Sequence, residues 1–351
     1  MHMSDALITP LVGGTMMTAS IGVMAHASRN LDEDFMESRL PYMGVVGAFV
    51  FASQMINFAI PGTGSSGHIG GGMLLAILLG PQAGFITMAS ILLIQALFFA
   101  DGGLLAYGCN LFNLGFLTCY VVYPWIYKPL SRLGANGLKK NKRFIMIAAV
   151  VASIVGLQLG SFGVVIQTLL SGRTDLPFSA FLSFMQPIHL AIGLIEGLIT
   201  AAIVGYLYDQ KEDLHYDLFK EETRESDHEH DIKKSRTRRV VTMVFIMTLM
   251  VGGILSHFAS SNPDGLEWSV EKVVSESVDA TEESSIIKSS LESVQDQVAV
   301  LPDYDFDAST GMSGSILGTS TSGIIGSLLT LFLACLLGVG VRQFRKRKIM
   351  N

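Results

Sequence analysis

Residues 61–117 read PGTGSSGHIGGGMLLAILLGPQAGFITMASILLIQALFFADGGLLAYGCNLFNLGFL, and Asp101 is the only Asp, Glu, Lys or Arg among them. A bilayer core about 30 Å thick takes roughly 20 apolar residues per helix. Lipid offers no hydrogen bonds, so a spanning segment is a helix or part of a closed barrel. The apolar runs here are too long and too uniform for barrel strands, which alternate polar and apolar residues. Gly80-Pro81 breaks the run, because proline lacks a backbone donor and clashes with the preceding turn. A short Gly-rich segment at 69–80 and a longer one at 82–100 result.

Working outward, further apolar stretches fall at 5–27, 41–59, 106–127, 143–170, 185–208, 238–258 and 322–342. The pattern predicts an all-α integral membrane protein with about nine transmembrane helices: a seven-helix bundle and then a two-helix hairpin. Composition agrees, with 50% apolar and only 15% charged residues in 351, where soluble domains carry about 25% charged residues. This argues against a soluble enzyme, a disordered regulator and a nucleic-acid binder. Cys109, Cys119 and Cys335 form no CxxC pair, so neither a disulfide framework nor a cysteine metal site is expected. No GxxxxGK[ST], GxSxG or HExxH motif is present, so any ATP hydrolysis belongs to another subunit. No bound organic cofactor is expected.

Lys and Arg concentrate in cytoplasmic loops. With the N-terminus outside and nine crossings, 21 of the 24 basic residues fall on the cytoplasmic side, as does the C-terminus. Arg173, Lys272 and Lys288 remain outside. Losing one span would scramble this segregation. The chain start lacks a basic n-region, and Asp5 stands where one would need Lys or Arg, so it does not read as a signal peptide. The expected location is the cytoplasmic membrane, with lipid as one partner.

Three parts follow. Residues 1–208 hold seven spans, 209–237 form a charged cytoplasmic linker, and 238–351 hold two spans around an external loop at 259–321. That loop carries twelve Asp or Glu and two Lys, so the net charge of −6 hides an acidic outside and a basic inside. An acidic loop raises the local concentration of divalent cations. Within it, Ile287, Leu291, Val294 and Val298 recur at helical spacing. The tip at 311–323 has flexible Gly/Ser composition.

The histidines carry the chemistry. His215, His228 and His230 read as solvated residues of the charged linker. The orientation puts the chain start and His68 on one external face. A histidine at position two has a particular option. The Met1 α-amine, the His2 backbone nitrogen and His2 Nδ1 can chelate one metal through fused five- and six-membered rings. His68 would complete a square of four nitrogens, a geometry that favours Cu(II) or Ni(II) over zinc or magnesium. The plainer reading makes His2 a polar start residue and His68 a loop residue. His189 and Glu196 share one helical face and read either as a gating pair or as packing hydrogen bonds. Asp101, Asn110 and Asn113 flank the fifth span. They either orient His68 or, for Asp101, cap a helix.

The opening Met1-His2-Met3-Ser4-Asp5-Ala6-Leu7, the stretch 61–117 and the run from His189 to Thr200 resemble the CbiM/NikM family. These are the substrate-binding membrane subunits of energy-coupling-factor nickel/cobalt importers. The resemblance covers 1–208. Ser260-Ser261-Asn262-Pro263-Asp264-Gly265-Leu266-Glu267-Trp268 resembles the small CbiN/NikN, or PDGLE-type, accessory subunit, so the chain looks like a fusion of the two. The resemblance implies capture of Ni(II) or Co(II) as transported substrate by Met1, His2 and His68. It also implies partnership with a transmembrane coupling protein and cytoplasmic ATPases. Residues 3–8 and the loop GTGSSGH depart from the commoner family pattern and leave the metal open. A square plane suits nickel, whereas cobalt is the commoner partner of the two-part accessory arrangement. The competing functional classes are a stand-alone secondary carrier or channel and a non-transporting scaffold.

Overall fold

The computed structural model describes residues 2–31, 33–133, 141–172, 176–209, 230–276, 286–306 and 316–350. Met1, His215, His228 and the start of the Gly/Ser tip lie outside the described residues. In chain order the elements are α1 (Pro10–Asn30), α2 (Glu33–Gln54), a hairpin of β1 (Phe58–Ile60) and β2 (Ser65–Gly67), and α3 (Gly72–Phe99). There follow α4 (Tyr107–Ser131), α5 (Lys142–Ser171), α6 (Phe178–Asp209), α7 (His230–Gly253), α8 (Gly265–Glu276), α9 (Ile286–Val298) and α10 (Ile316–Met350). The middle of α4, Phe112–Tyr127, winds as a π-helix.

Among the described residues, five helices are long and apolar enough to cross a membrane: α3, α4, α5, α6 and α10. α2 and α7 hold shorter apolar runs, Leu40–Gln54 and Val241–Gly253. α3 is buried along nearly its whole length and forms the centre. Leu169, Leu170, Leu194, Leu198, Phe332 and Leu336 stand exposed on the outer helices. An apolar outer surface is the expected finish where the solvent is lipid.

The two segments expected at 69–80 and 82–100 are one helical run folded back on itself. Gly80 sits at φ 80°, ψ 169°, a conformation open to glycine and followed at once by Pro81. A Cβ on Gly84 would stand 3.1 Å from the Leu75 carbonyl. In a straight helix those residues lie about 13 Å apart along the axis. The arm at 72–79 is only ~12 Å long, well short of the ~30 Å hydrocarbon core. Both ends of α3 therefore open on the same side, and the loop before Gly72 meets the loop after Phe99.

The second block packs on the first. α10 runs along α2, where Gly44 faces Leu331 and Cys335, and Ser327 Oγ donates to the Ala48 carbonyl at 3.4 Å. α9 forms where the apolar spacing placed a helix. Of the expected stripe Leu291 packs against the core, while Val294 and Val298 are exposed, and Gln295 adds a polar contact, its amide donating to the Ala96 and Gly102 carbonyls at 2.9 and 2.8 Å.

α1 starts at Pro10 with Thr9 as its cap, the arrangement proline favours at a first helical position. It crosses α4 at Gly108, where a Cβ would stand 2.3 Å from the Met17 backbone nitrogen. Ser20 Oγ donates to the Gly108 carbonyl at 2.9 Å. Gly108→Val should lower the melting temperature of the detergent-purified protein by several degrees, since overpacking costs about 1–3 kcal/mol. Gly14→Ala, with nothing within 4 Å of the added methyl, should leave it unchanged.

Candidate metal centre

The first residues alternate: Ser4 and Ala6 are exposed, while Met3, Asp5, Leu7 and Ile8 turn inward. Met3 and Ile8 are fully buried, and Leu7 nearly so. Backbone groups buried along such a segment must find partners. Met3 N–H donates to Asn110 Oδ1 at 2.8 Å, and Asn110 Nδ2 returns a hydrogen bond to the Met3 carbonyl at 3.1 Å. That carbonyl also accepts from Gly103 N–H at 2.9 Å. Asp5 Oδ1 accepts from Ala106 N–H at 2.9 Å, and Thr9 N–H donates to Ser171 Oγ at 3.2 Å.

This threading delivers His2 to His68. Their rings stack with centroids 5.0 Å apart and planes 23° from parallel. His2 Nδ1 lies 2.8 Å from Asp101 Oδ1. His2 Nε2 is buried without a hydrogen-bond partner among the described residues. Burial opposes charge on Asp101, yet the facing His2 and the hydroxyl of Tyr304 hold its carboxyl below the usual carboxylate range. An ionised carboxylate only accepts, so His2 Nδ1 carries the proton of that bond. His68 Nδ1 donates to the Ile69 carbonyl at 3.0 Å, which leaves the lone pair on Nε2. Burial pushes the His68 imidazole down to about 3, so it is neutral at neutral pH, the form that binds metals.

The loop that carries His68 is pinned from several sides. Glu196 accepts Gly70 N–H at 2.7 Å and Gly71 N–H at 3.2 Å. Gln54 donates to the Gly70 carbonyl at 2.7 Å, and Gln95 donates to Gln54 at 2.9 Å. His189 does not pair with Glu196. Its Nδ1 donates to the Met185 carbonyl at 2.8 Å, and its buried Nε2 has no partner among the described residues. On this shared face Glu196 holds the loop before α3, and His189 bonds within its own helix.

The expected support for His68 is also redistributed. Asp101 holds His2, and Asn110 clamps Met3. Asn113 exchanges hydrogen bonds with Gln167 at 2.8 and 3.1 Å and touches Met3 Sδ at 3.9 Å. The physical reason is the buried backbone of the first residues, whose polar groups take the nearest amides. Met1 lies outside the described residues.

The second block roofs the site. Ser66 N–H and Oγ donate to the Pro263 and Asn262 carbonyls at 2.8 and 2.7 Å, beside His68. A Cβ on Gly265 would stand 3.3 Å from His189 Cε1. Asp264 caps α8, accepting Leu266 and Glu267 N–H at 2.8 Å each. On the other side, Val300 and Leu301 N–H donate to the Phe98 carbonyl, and Tyr304 Oη donates to Asp101 Oδ2 at 2.5 Å. The sequence drew attention to the stretch from Ser260 to Trp268 but gave no sign of Tyr304 or Gln295. Among the described residues no three His, Cys, Asp or Glu side chains are placed to hold one metal ion together. The side-chain donors brought together are two imidazoles.

Fold and site define a multi-pass membrane protein whose buried histidine pair lies beside its own first residues. The chain belongs to the family described as the cobalt uptake substrate-specific transmembrane region, CbiM, which it matches over residues 2–214. Residues 238–343 match the PDGLE domain. The fused nickel transport protein NikMN of Rhodobacter capsulatus is 34% identical over 221 residues, 59% of this chain and 61% of that one. An Archaeoglobus fulgidus protein that carries the NikMN name is 34% identical over 214 residues, 61% of this chain and 68% of that one. The crystal structure of a truncated transition metal transporter superposes with TM-score 0.52 at 30% identity, over 60% of this chain and 99% of that one.

Glu196→Ala removes both acceptors of the Gly70 and Gly71 amides. Hydrogen exchange at those amides should quicken about tenfold or more, since a stranded buried donor costs about 1–3 kcal/mol. Glu196→Gln, which keeps one acceptor oxygen, should give a smaller effect.

Proposed function

We propose that this chain is the capture subunit of an importer for Ni(II) or Co(II), driven by ATP hydrolysed in separate subunits. The observation that carries the reading is the stacked His2–His68 pair, buried against the first residues of the chain. The donors are the Met1 α-amine, the His2 backbone nitrogen, His2 Nδ1 and His68. Four nitrogens in a plane favour Ni(II) over harder cations. Relatives named for nickel support the same metal, and others named for cobalt keep Co(II) in the reading.

In this reading residues 1–208 bind the substrate, 209–237 tether and 238–351 form the accessory part with its external loop at 259–321. The N-terminus faces outside and the C-terminus the cytoplasm, with nine helical segments when the arm at 72–79 is counted. The site then opens to the outer face of the cytoplasmic membrane. A transmembrane coupling protein and cytoplasmic ATPases tilt the bundle and release the ion inward. A stand-alone carrier needs an ionisable relay of its own. Glu196, its best candidate, already has both oxygens on the Gly70 and Gly71 amides.

Loading requires the two rings to leave their stacked setting and turn nitrogens toward a common ion. The neutral His68 costs no proton there; at His2 the ring proton moves from Nδ1 to Nε2, and the backbone nitrogen that joins the ion releases its own. Calorimetric titration of the full chain with Ni(II) tests the assignment. His2→Ala and His68→Ala should each weaken binding by more than about a hundredfold, beyond the 10–100-fold typical of losing an outer-shell partner. One residue added before Met1 should do the same. Wild-type affinity in both histidine variants would overturn the reading.

A further inference from the structure

Tyr304, in the external loop of the second block, reaches the histidine pair through one carboxylate. Its hydroxyl donates to Asp101 Oδ2 at 2.5 Å, and Asp101 Oδ1 lies 2.8 Å from His2 Nδ1. With both oxygens engaged, the carboxylate cannot swing away from His2. Tyr304 is itself fixed by stacking on Phe99, with centroids 4.8 Å apart and planes 18° from parallel. The neighbouring Val300 and Leu301 N–H groups hold the Phe98 carbonyl.

The backbone points to the same contact. Ala100, Asp303 and Tyr304 are the non-glycine residues with positive φ among the described residues, at 54°, 52° and 61°. All three flank the bond from Tyr304 to Asp101. Such conformations persist where the surroundings over-determine them, and they cluster at ligand clamps. A phenylalanine would stack on Phe99 equally well, so the stack does not require the hydroxyl, whose partner is Asp101.

We propose that Tyr304 is a positioning residue for His2, acting through Asp101, and that this pair competes with the incoming metal for His2 Nδ1. The inference rests on the reading of His2 Nδ1 as a metal donor. That nitrogen gives a proton to a carboxylate or a lone pair to a metal, not both. Loading therefore breaks the bond from His2 to Asp101, and lifting the segment at 300–306 from the loop at 98–102 unlocks the carboxylate. The second block thereby sets how tightly the first one holds its substrate.

The test titrates the full-length protein in detergent with Ni(II), recording both heat and the visible absorption of planar nickel. Tyr304→Phe keeps the ring stack, and Asp101→Asn keeps the side-chain shape. Asp101→Asn should tighten nickel binding about five- to tenfold, since a neutral partner holds an imidazole N–H less strongly than a carboxylate does. Tyr304→Phe should tighten it less, about twofold, because Asp101 stays charged and gains only the freedom to swing away from His2. The absorption band should stay in place. The double variant should bind no tighter than Asp101→Asn alone, because Tyr304 acts through Asp101. Weakened or unchanged binding in both single variants, with His2→Ala still abolishing it, would overturn the competition while leaving the ligand set standing. Undiminished binding in His2→Ala would overturn the ligand set and the competition together.

Discussion

A chain that packs its own first residues into a helix bundle, with Met3, Asp5, Leu7 and Ile8 facing in, must satisfy the backbone it buries there. Each unpaired group would cost several kcal/mol in a medium without water. The reciprocal pair between Met3 and the Asn110 side chain meets that demand. Much else follows from it. α4 must present an amide where α1 leaves room, which sets the close crossing at Gly108. The loop after α3 must offer Gly103 N–H to the same carbonyl. His2, one residue earlier, then has little choice of position, and its ring comes to rest between Asp101 and His68.

The histidine pair is thereby built from both blocks, although neither of its rings belongs to the second. One contact from that block lies along β2, through Asn262 and Pro263. Another lies along the loop after α3, through Gln295, Leu301 and Tyr304. These contacts combine backbone and side-chain hydrogen bonds on loops with apolar packing by Leu266, Val273 and Leu301. The packing of α10 on α2 supplies the permanent attachment.

Much of this was legible in the sequence. Long uncharged runs gave the helices, Gly80-Pro81 marked the break in α3, and the two informative histidines could be singled out from eight. The depth of each segment was less legible. Hydropathy registers apolar residues but not direction, so the segment at 69–80 reads as short, partial or tilted without showing that it folds back. The polar partners were mis-assigned for a related reason. Spacing places Asp101, Asn110 and Asn113 near one end of the bundle, yet which polar group each meets depends on where the first residues thread. Tyr304 was invisible because its role needs two left-handed residues, Asp303 and Tyr304 itself, and neither is a glycine that would flag the turn. Gln295 was missed because a glutamine beside an apolar stripe gives hydropathy no reason to mark it as buried.

The fold-back of α3 has a mechanical consequence. His68 stands just before the hairpin and Asp101 just after it, so the two are mounted on a single stiff frame whose arms meet at Gly80 and press together at Gly84. Tilting that frame carries both residues together and leaves their spacing nearly constant. Any large change in the geometry around the pair must therefore come from the thread that holds His2 or from the roof above it. The hairpin acts as the anvil of the site, and the moving parts strike against it.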